Sequence, residues 1–180
     1  MTSTTPLINL TIRSTQLLFS IITLTLSASL VKGQHPHLNA PTILKYATFA
    51  GAATLLAALV GLATEWASVL QGKVMLVVDF MVAVVNILGG VFLAINIGMP
   101  NCRDTSTNNL LRLVTNNLFN GGCIEDATNG TRCWNELENR IHYLNSRCQE
   151  CQADSVFFFL TAVLLLVSPS LNYLSMRNAY

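Results

Sequence analysis

Four long uncharged apolar runs constrain this chain more than any other feature. Arg13 and Lys32 bracket 18 residues without a charge, Lys45 and Glu65 bracket 19, Asp79 and Arg103 bracket 23, and Asp154 and Arg177 bracket 22. A helix rises about 1.5 Å per residue, so about 20 residues cross a hydrocarbon core about 30 Å thick. Each run is long enough to span. A soluble domain of 180 residues rarely holds four such stretches. Charged residues make up 11% of the chain, against roughly 25% in soluble domains. The fold class expected is an all-α membrane protein, a single domain over 1–180 whose core is a four-helix transmembrane bundle. The spans are expected at about 15–31, 44–63, 74–97 and 155–176, with an extracellular insertion at about 99–154. A net charge of +1 without a clustered basic face argues against a nucleic-acid partner, and none is expected.

The first run mixes leucine and isoleucine with Ser20, Thr23, Thr25, Ser27 and Ser29. Hydroxyls bond back to the preceding helical turn and are tolerated in lipid. The competing reading is a signal peptide with Arg13 as its basic region and Ser27-Ala28-Ser29 as its cleavage site; a single positive charge argues against it. The next connection, Lys32 to Pro41, carries His35-Pro36-His37. With no carboxylate or thiol nearby to complete a metal site, it reads as a solvated loop. In the second run Ala53, Ala57 and Gly61 recur every four residues, as do Ala50, Thr54 and Ala58. Small residues on one face let helices approach closely in lipid, and packing within the bundle is favoured over a dimer contact. Trp66 then marks the membrane interface.

The third run holds the intramembrane polar candidates Asp79, Asn86 and Asn96. Asn86, Gly90 and Ala94 share one face, expected to be buried. A carboxylate facing lipid costs about 2.5–3.5 kcal/mol on insertion scales, so Asp79 should face the interior. Gln16, Ser20 and Asn172 lie at similar depth as its hydrogen-bond partners. A structural polar clasp is the favoured role, and Asp79→Asn is expected to preserve folding.

The connection after the third run differs in kind, because all five cysteines lie in it. Leu110, Leu111, Val114 and Leu118 have helical spacing within Thr107–Phe119, stopped by Asn120-Gly121-Gly122. Asn129-Gly130 signals another turn. Trp134, Leu137, Ile141, Leu144, Cys148 and Cys151 recur at spacings of three and four and lead straight into the fourth run. One long helix should therefore start outside the membrane and enter it, covered by the short amphipathic helix, with Pro169 a kink site.

Two signals disagree about orientation. Arg103, Arg112, Arg132, Arg140 and Arg147 make the third connection the most positive, as cytoplasmic loops usually are. The same connection also holds seven acids. Grouped cysteines suit an oxidising compartment, and Asn129-Gly130-Thr131 is a glycosylation acceptor sequence. The cysteines are given precedence, which puts this connection outside and both termini in the cytoplasm. Disulfides Cys102–Cys148 and Cys123–Cys133 are expected, with Cys151 unpaired. Zinc held through Cys148-x-x-Cys151, or a redox-active pair there, are the alternatives, and sequence does not fix connectivity. No metal or cofactor is expected.

The four-helix layout, Gln34-His35-Pro36-His37, Val78-Asp79-Phe80, Asn101-Cys102, Arg147-Cys148 and Gln152-Ala153 resemble the fungal MARVEL-domain tetraspans of the non-classical export protein family. The long third connection and the cysteines at 123, 133 and 151 depart from that pattern. The first loop lacks the Trp and cysteine signature of claudin-type tetraspans. The resemblance implies a plasma-membrane protein with cytoplasmic ends, acting in lateral domains, eisosome organisation, sphingolipid response and vesicle traffic. Its partners would be membrane lipids, sphingolipid-rich domains among them, and other membrane proteins or itself. Such a protein would be a non-enzymatic organiser. A small transporter or channel subunit using the polar residues of the third helix is the alternative, and an enzyme ranks last.

Overall fold

In a computed structural model, the chain forms five helices and one small β-ribbon among the described residues. Those are 4–34, 40–67, 73–98, 100–104, 106–126, 130–133 and 140–177, with the side chains of 4–6, 65–67, 73, 123–126, 130–133, 140 and 171–177 outside the description. The helices are α1 (Thr4–Lys32), α2 (Thr42–Ala67), α3 (Lys73–Ile97), α4 (Thr107–Thr115) and α5 (Arg140–Arg177). Four of them are long and apolar enough to cross a membrane: Leu7–Lys32, Thr42–Thr64, Val74–Ile97 and Ile141–Ser170. They close into a ring. α1 packs on α2 and α5, α3 packs on α2 and α5, and α1 and α3 face each other across the diagonal.

A polar stripe runs through the interior of the bundle beside a buried apolar cluster, and the outside is apolar. Along α1 the buried positions are Arg13, Gln16, Ser20, Thr23, Ser27, Leu30 and, just past its end, Gln34. They recur at alternating spacings of three and four, which is one face of a helix in a left-handed bundle. The outward side chains include Leu18, Phe49, Leu56, Val77, Phe80, Ile95, Val156 and Val163, all exposed. An apolar exterior over buried polar contacts suits a lipid solvent, since lipid tails supply no drive to bury every leucine. Hydroxyls not used between helices bond backwards along their own, as Thr23 Oγ1 does to the Phe19 carbonyl at 2.8 Å and Thr161 Oγ1 to that of Phe157 at 2.7 Å.

The small-residue stripe of α2 faces the interior, with Ala47, Ala50, Thr54, Ala57 and Ala58 buried. Gly51 lies so close to α1 that a Cβ there would sit 3.0 Å from the Leu24 Cα. Close approach within the bundle is thus the use of these residues.

Several sequence expectations are corrected. α1 starts well before residue 15, so Arg13 lies inside a helix rather than in a flanking tail. The amphipathic helix stops at Thr115, and Leu118 and Phe119 follow it in a turn, both buried. α5, by contrast, is the one long helix expected, with Pro169 inside it. The buried face of α3 passes through Asn86, Gly90, Leu93 and Ile97, whereas Ala94 and Asn96 are exposed. Two short strands that sequence did not announce, β1 (Cys123–Asp126) and β2 (Gly130–Cys133), pair antiparallel with Cys123 opposite Cys133. Four-residue polar strands carry too little alternation to be read from sequence.

Candidate functional site

The interior side chains are joined in layers. At one end Arg13 reaches across the diagonal to Asp79, its Nη1 donating to Oδ1 at 2.8 Å and its Nη2 to Oδ2 at 2.6 Å. Both side chains are buried, at 3% and 2% exposure. A guanidinium matches a carboxylate in this parallel, two-bond geometry, which a lysine could not reproduce. Arg13 Nη1 also donates to Gln16 Oε1 at 3.1 Å, and Gln16 Nε2 donates to the Leu164 carbonyl on α5 at 3.0 Å. Gly61 of α2 leaves room for this reach: a Cβ there would sit 3.1 Å from the Arg13 guanidinium carbon. Three elements are thereby tied to one charge pair, and α2 accommodates it.

The next layer joins α3 to α2. Asn86 Nδ2 donates to Thr54 Oγ1 and to the Val82 carbonyl, each at 2.8 Å. Thr54 Oγ1 in turn donates to the Ala50 carbonyl at 2.7 Å. Tyr46 of α2 donates its hydroxyl to the Val85 carbonyl at 3.1 Å and stands edge-on to Phe92.

Toward the other end, Ser27 Oγ donates to Asp154 Oδ2 at 2.6 Å, linking α1 to α5. Ser155 Oγ donates to the Gly90 carbonyl at 3.0 Å, linking α5 to α3. Above them Arg147 is buried and binds carbonyls instead of an acid. Its Nη2 donates to Leu30 O at 2.9 Å and Leu118 O at 3.0 Å, and its Nη1 to the Tyr143 hydroxyl at 3.0 Å. Tyr143 donates to the Gly33 carbonyl at 3.1 Å. One guanidinium thus fastens the end of α1 and the turn after α4 onto α5. The turn adds Leu118 and Phe119 to the apolar cluster that holds Leu30, Leu44, Leu113, Leu144 and Cys148. A disulfide joins Cys102, just after α3, to Cys148 on α5, with Cα atoms 5.5 Å apart. Cys151, one helical turn further along, is a buried free thiol.

The chain matches MARVEL, the membrane-associating domain, over residues 6–170. It belongs to the MARVEL family. No curated protein and no solved structure matches it. A MARVEL chain with four apolar helices is an integral, multi-pass membrane protein.

Within this MARVEL bundle the sequence candidates fall in different places. Asp79 and Asn86 face the interior but serve separate layers. Asn96 does not join them: it is exposed at the end of α3, its Nδ2 donating to the Phe92 carbonyl at 2.9 Å and its own carbonyl accepting from Asn116 Nδ2 at 2.8 Å. Gln16 touches Arg13 rather than Asp79. Ser20 donates to the Leu17 carbonyl of its own helix at 2.8 Å. The Asn172 side chain, Asn129, Trp134 and His35 to His37 lie outside the described residues, and of Cys123 and Cys133 only the backbone is described.

Three residues that matter most were missed. In the sequence Arg13 and Asp154 stand as borders of apolar runs, and Arg147 as one arginine of the third connection and part of the Arg147-Cys148 motif. The signal was periodicity: Arg147, Asp154, Thr161 and Ser168 recur every seven residues, all buried, beside the stripe of Leu144, Cys151, Phe158 and Leu165. Extending the apolar face without stopping at charges would have found Arg147 and Asp154.

Proposed function

We propose that this MARVEL protein is a non-enzymatic organiser of plasma-membrane lateral domains or membrane traffic, working through contacts with lipids and with other membrane proteins or further copies of itself. The observation that carries this reading is how the interior polar groups are used. Asp79, Asn86 and Gln16 hydrogen-bond across helices to protein partners rather than lining a path. The outward surface is a broad apolar belt suited to lipid. The transporter reading needs Asp79, Asn86 and Asn96 in one pathway, and Asn96 points elsewhere.

Orientation follows from the cysteines. A Cys102–Cys148 disulfide is maintained in an oxidising compartment, so the α3–α5 connection is assigned to the exterior and both termini to the cytoplasm. Energy transfer between labelled copies in vesicles tests the organiser role. Clustering should appear in sphingolipid-containing mixtures and fade in a simple phosphatidylcholine bilayer. A random distribution in every composition would remove the reading.

A further inference from the structure

The end of the bundle that carries the disulfide also carries a cleft of about 760 Å³ between α2, the end of α3 and α4. Its lining includes Thr42, Ile43, Asn96, Arg112, Asn117 and Phe119. Its depth is set by the spans, since one apolar span begins at Thr42 and the next ends at Ile97. The cleft therefore opens at the level where hydrocarbon gives way to headgroups. Among the described residues that line it there is no acid, and Arg112 is the only cation.

The lining offers one cation to a ligand. Arg112 is exposed, and its guanidinium makes no hydrogen bond or ion pair among the described residues. The walls are fixed independently of any ligand. Asn116 Nδ2 binds the Asn96 carbonyl, Arg147 holds the Leu118 carbonyl, and Gly98 turns the chain off α3 at φ +65°. Immediately toward the membrane centre, Phe92 and Ile95 are exposed apolar side chains on the same stretch of α3. A preformed, acid-free cavity at headgroup depth, with one free cation above an apolar surface, has the chemistry of a phosphodiester carrying two acyl chains.

We propose that this cleft binds the phosphodiester of a membrane phospholipid, with Arg112 as its principal charge contact and the acyl chains lying along α3 over Phe92 and Ile95. The site deepens the reading of the chain as a lipid-contacting organiser and rests on it.

The test uses the full chain in detergent micelles and counts retained lipids by native mass spectrometry. Phosphatidylglycerol is offered beside a diacylglycerol glycoside that lacks phosphate. Retention of phosphatidylglycerol over the glycoside, lowered about tenfold in R112Q, is the expected result; loss of one charge-assisted contact is worth about that much. R112K should restore most of it, and R103Q, an equal charge loss on the disulfide side of the same end, should leave it unchanged. Equal retention of both lipids, or an unchanged R112Q, would overturn the site. Complete displacement by inorganic phosphate would also overturn it, by assigning the cleft to a soluble anion. Lipid-dependent clustering that persists in R112Q with unchanged retention defeats the site alone, whereas absence of clustering in the wild type defeats the organiser reading.

Discussion

Arg13 and Asp79 form a two-bond ion pair across the diagonal of the bundle, joining helices whose backbones do not approach each other closely. The pair sits where each partner would be intolerable alone. A buried pair of this kind adds little over a well-packed apolar pair, but removing one member strands the other charge.

Asp79→Asn or Arg13→Met should therefore destabilise the bundle by about 3–5 kcal/mol, while the double replacement Arg13→Met with Asp79→Leu should recover most of the loss. Unfolding in mixed micelles followed by circular dichroism measures this. A double variant no better than either single one would show that the pair does more than neutralise itself. The sequence alone led to the milder expectation that Asp79→Asn is tolerated, because Arg13 was not recognised as its partner.

The Asn86–Thr54 contact is the reverse case. Interhelical hydrogen bonds in membranes average about 0.6 kcal/mol and reach about 1.7, because the unfolded chain in lipid also finds partners. Thr54→Val keeps the shape and removes the acceptor, so its cost should stay within that range. A loss as large as that at Asp79 would contradict the layered picture, in which charge pairing dominates one end only.

Arg147 organises the opposite end through geometry as much as charge. Arg147→Lys keeps the charge but cannot present the same fork to Leu30, Leu118 and Tyr143. Hydrogen exchange should speed up in α4 and the turn at Leu118 and Phe119, with the amides in the middle of α3 little changed. Uniform acceleration throughout the bundle would mean that Arg147 supports the whole fold rather than its cap.

The cysteines give a connectivity prediction. Peptide mapping without reduction should find Cys102 joined to Cys148, Cys123 joined to Cys133, and Cys151 free. The first bond is in the structure, across 46 residues of sequence. The second is inferred from the antiparallel register that sets Cys123 opposite Cys133. In the chain-entropy model the longer loop stabilises by about 4 kcal/mol, so a Cys102→Ser, Cys148→Ser double variant should melt well below the wild type. Five free thiols would overturn the pairing and the external assignment of the connection.

The architecture was largely legible in the sequence, because lipid imposes a length and composition that four uncharged runs display directly. The long α5 was legible too, since Leu144, Cys148 and Cys151 carry a helical period into the fourth run. What escaped was which charges lie inside. Treating Arg13 and Asp154 as the edges of apolar windows hid the fact that each continues a buried stripe. Asn96 was grouped with Asp79 and Asn86 by residue type, although its position at the end of α3 leaves it exposed, with its backbone carbonyl accepting from Asn116 of the connection. The β-ribbon depends on pairing between segments too short to announce themselves.

The most direct measurement is solute flux through the reconstituted full chain. A bundle whose interior polar groups are engaged with one another should leave proteoliposomes as tight to protons, potassium and small solutes as protein-free vesicles, while still clustering in sphingolipid-containing membranes. Saturable flux that is abolished by Asp79→Asn in a correctly folded variant would contradict the organiser role and make the third helix a conduction path.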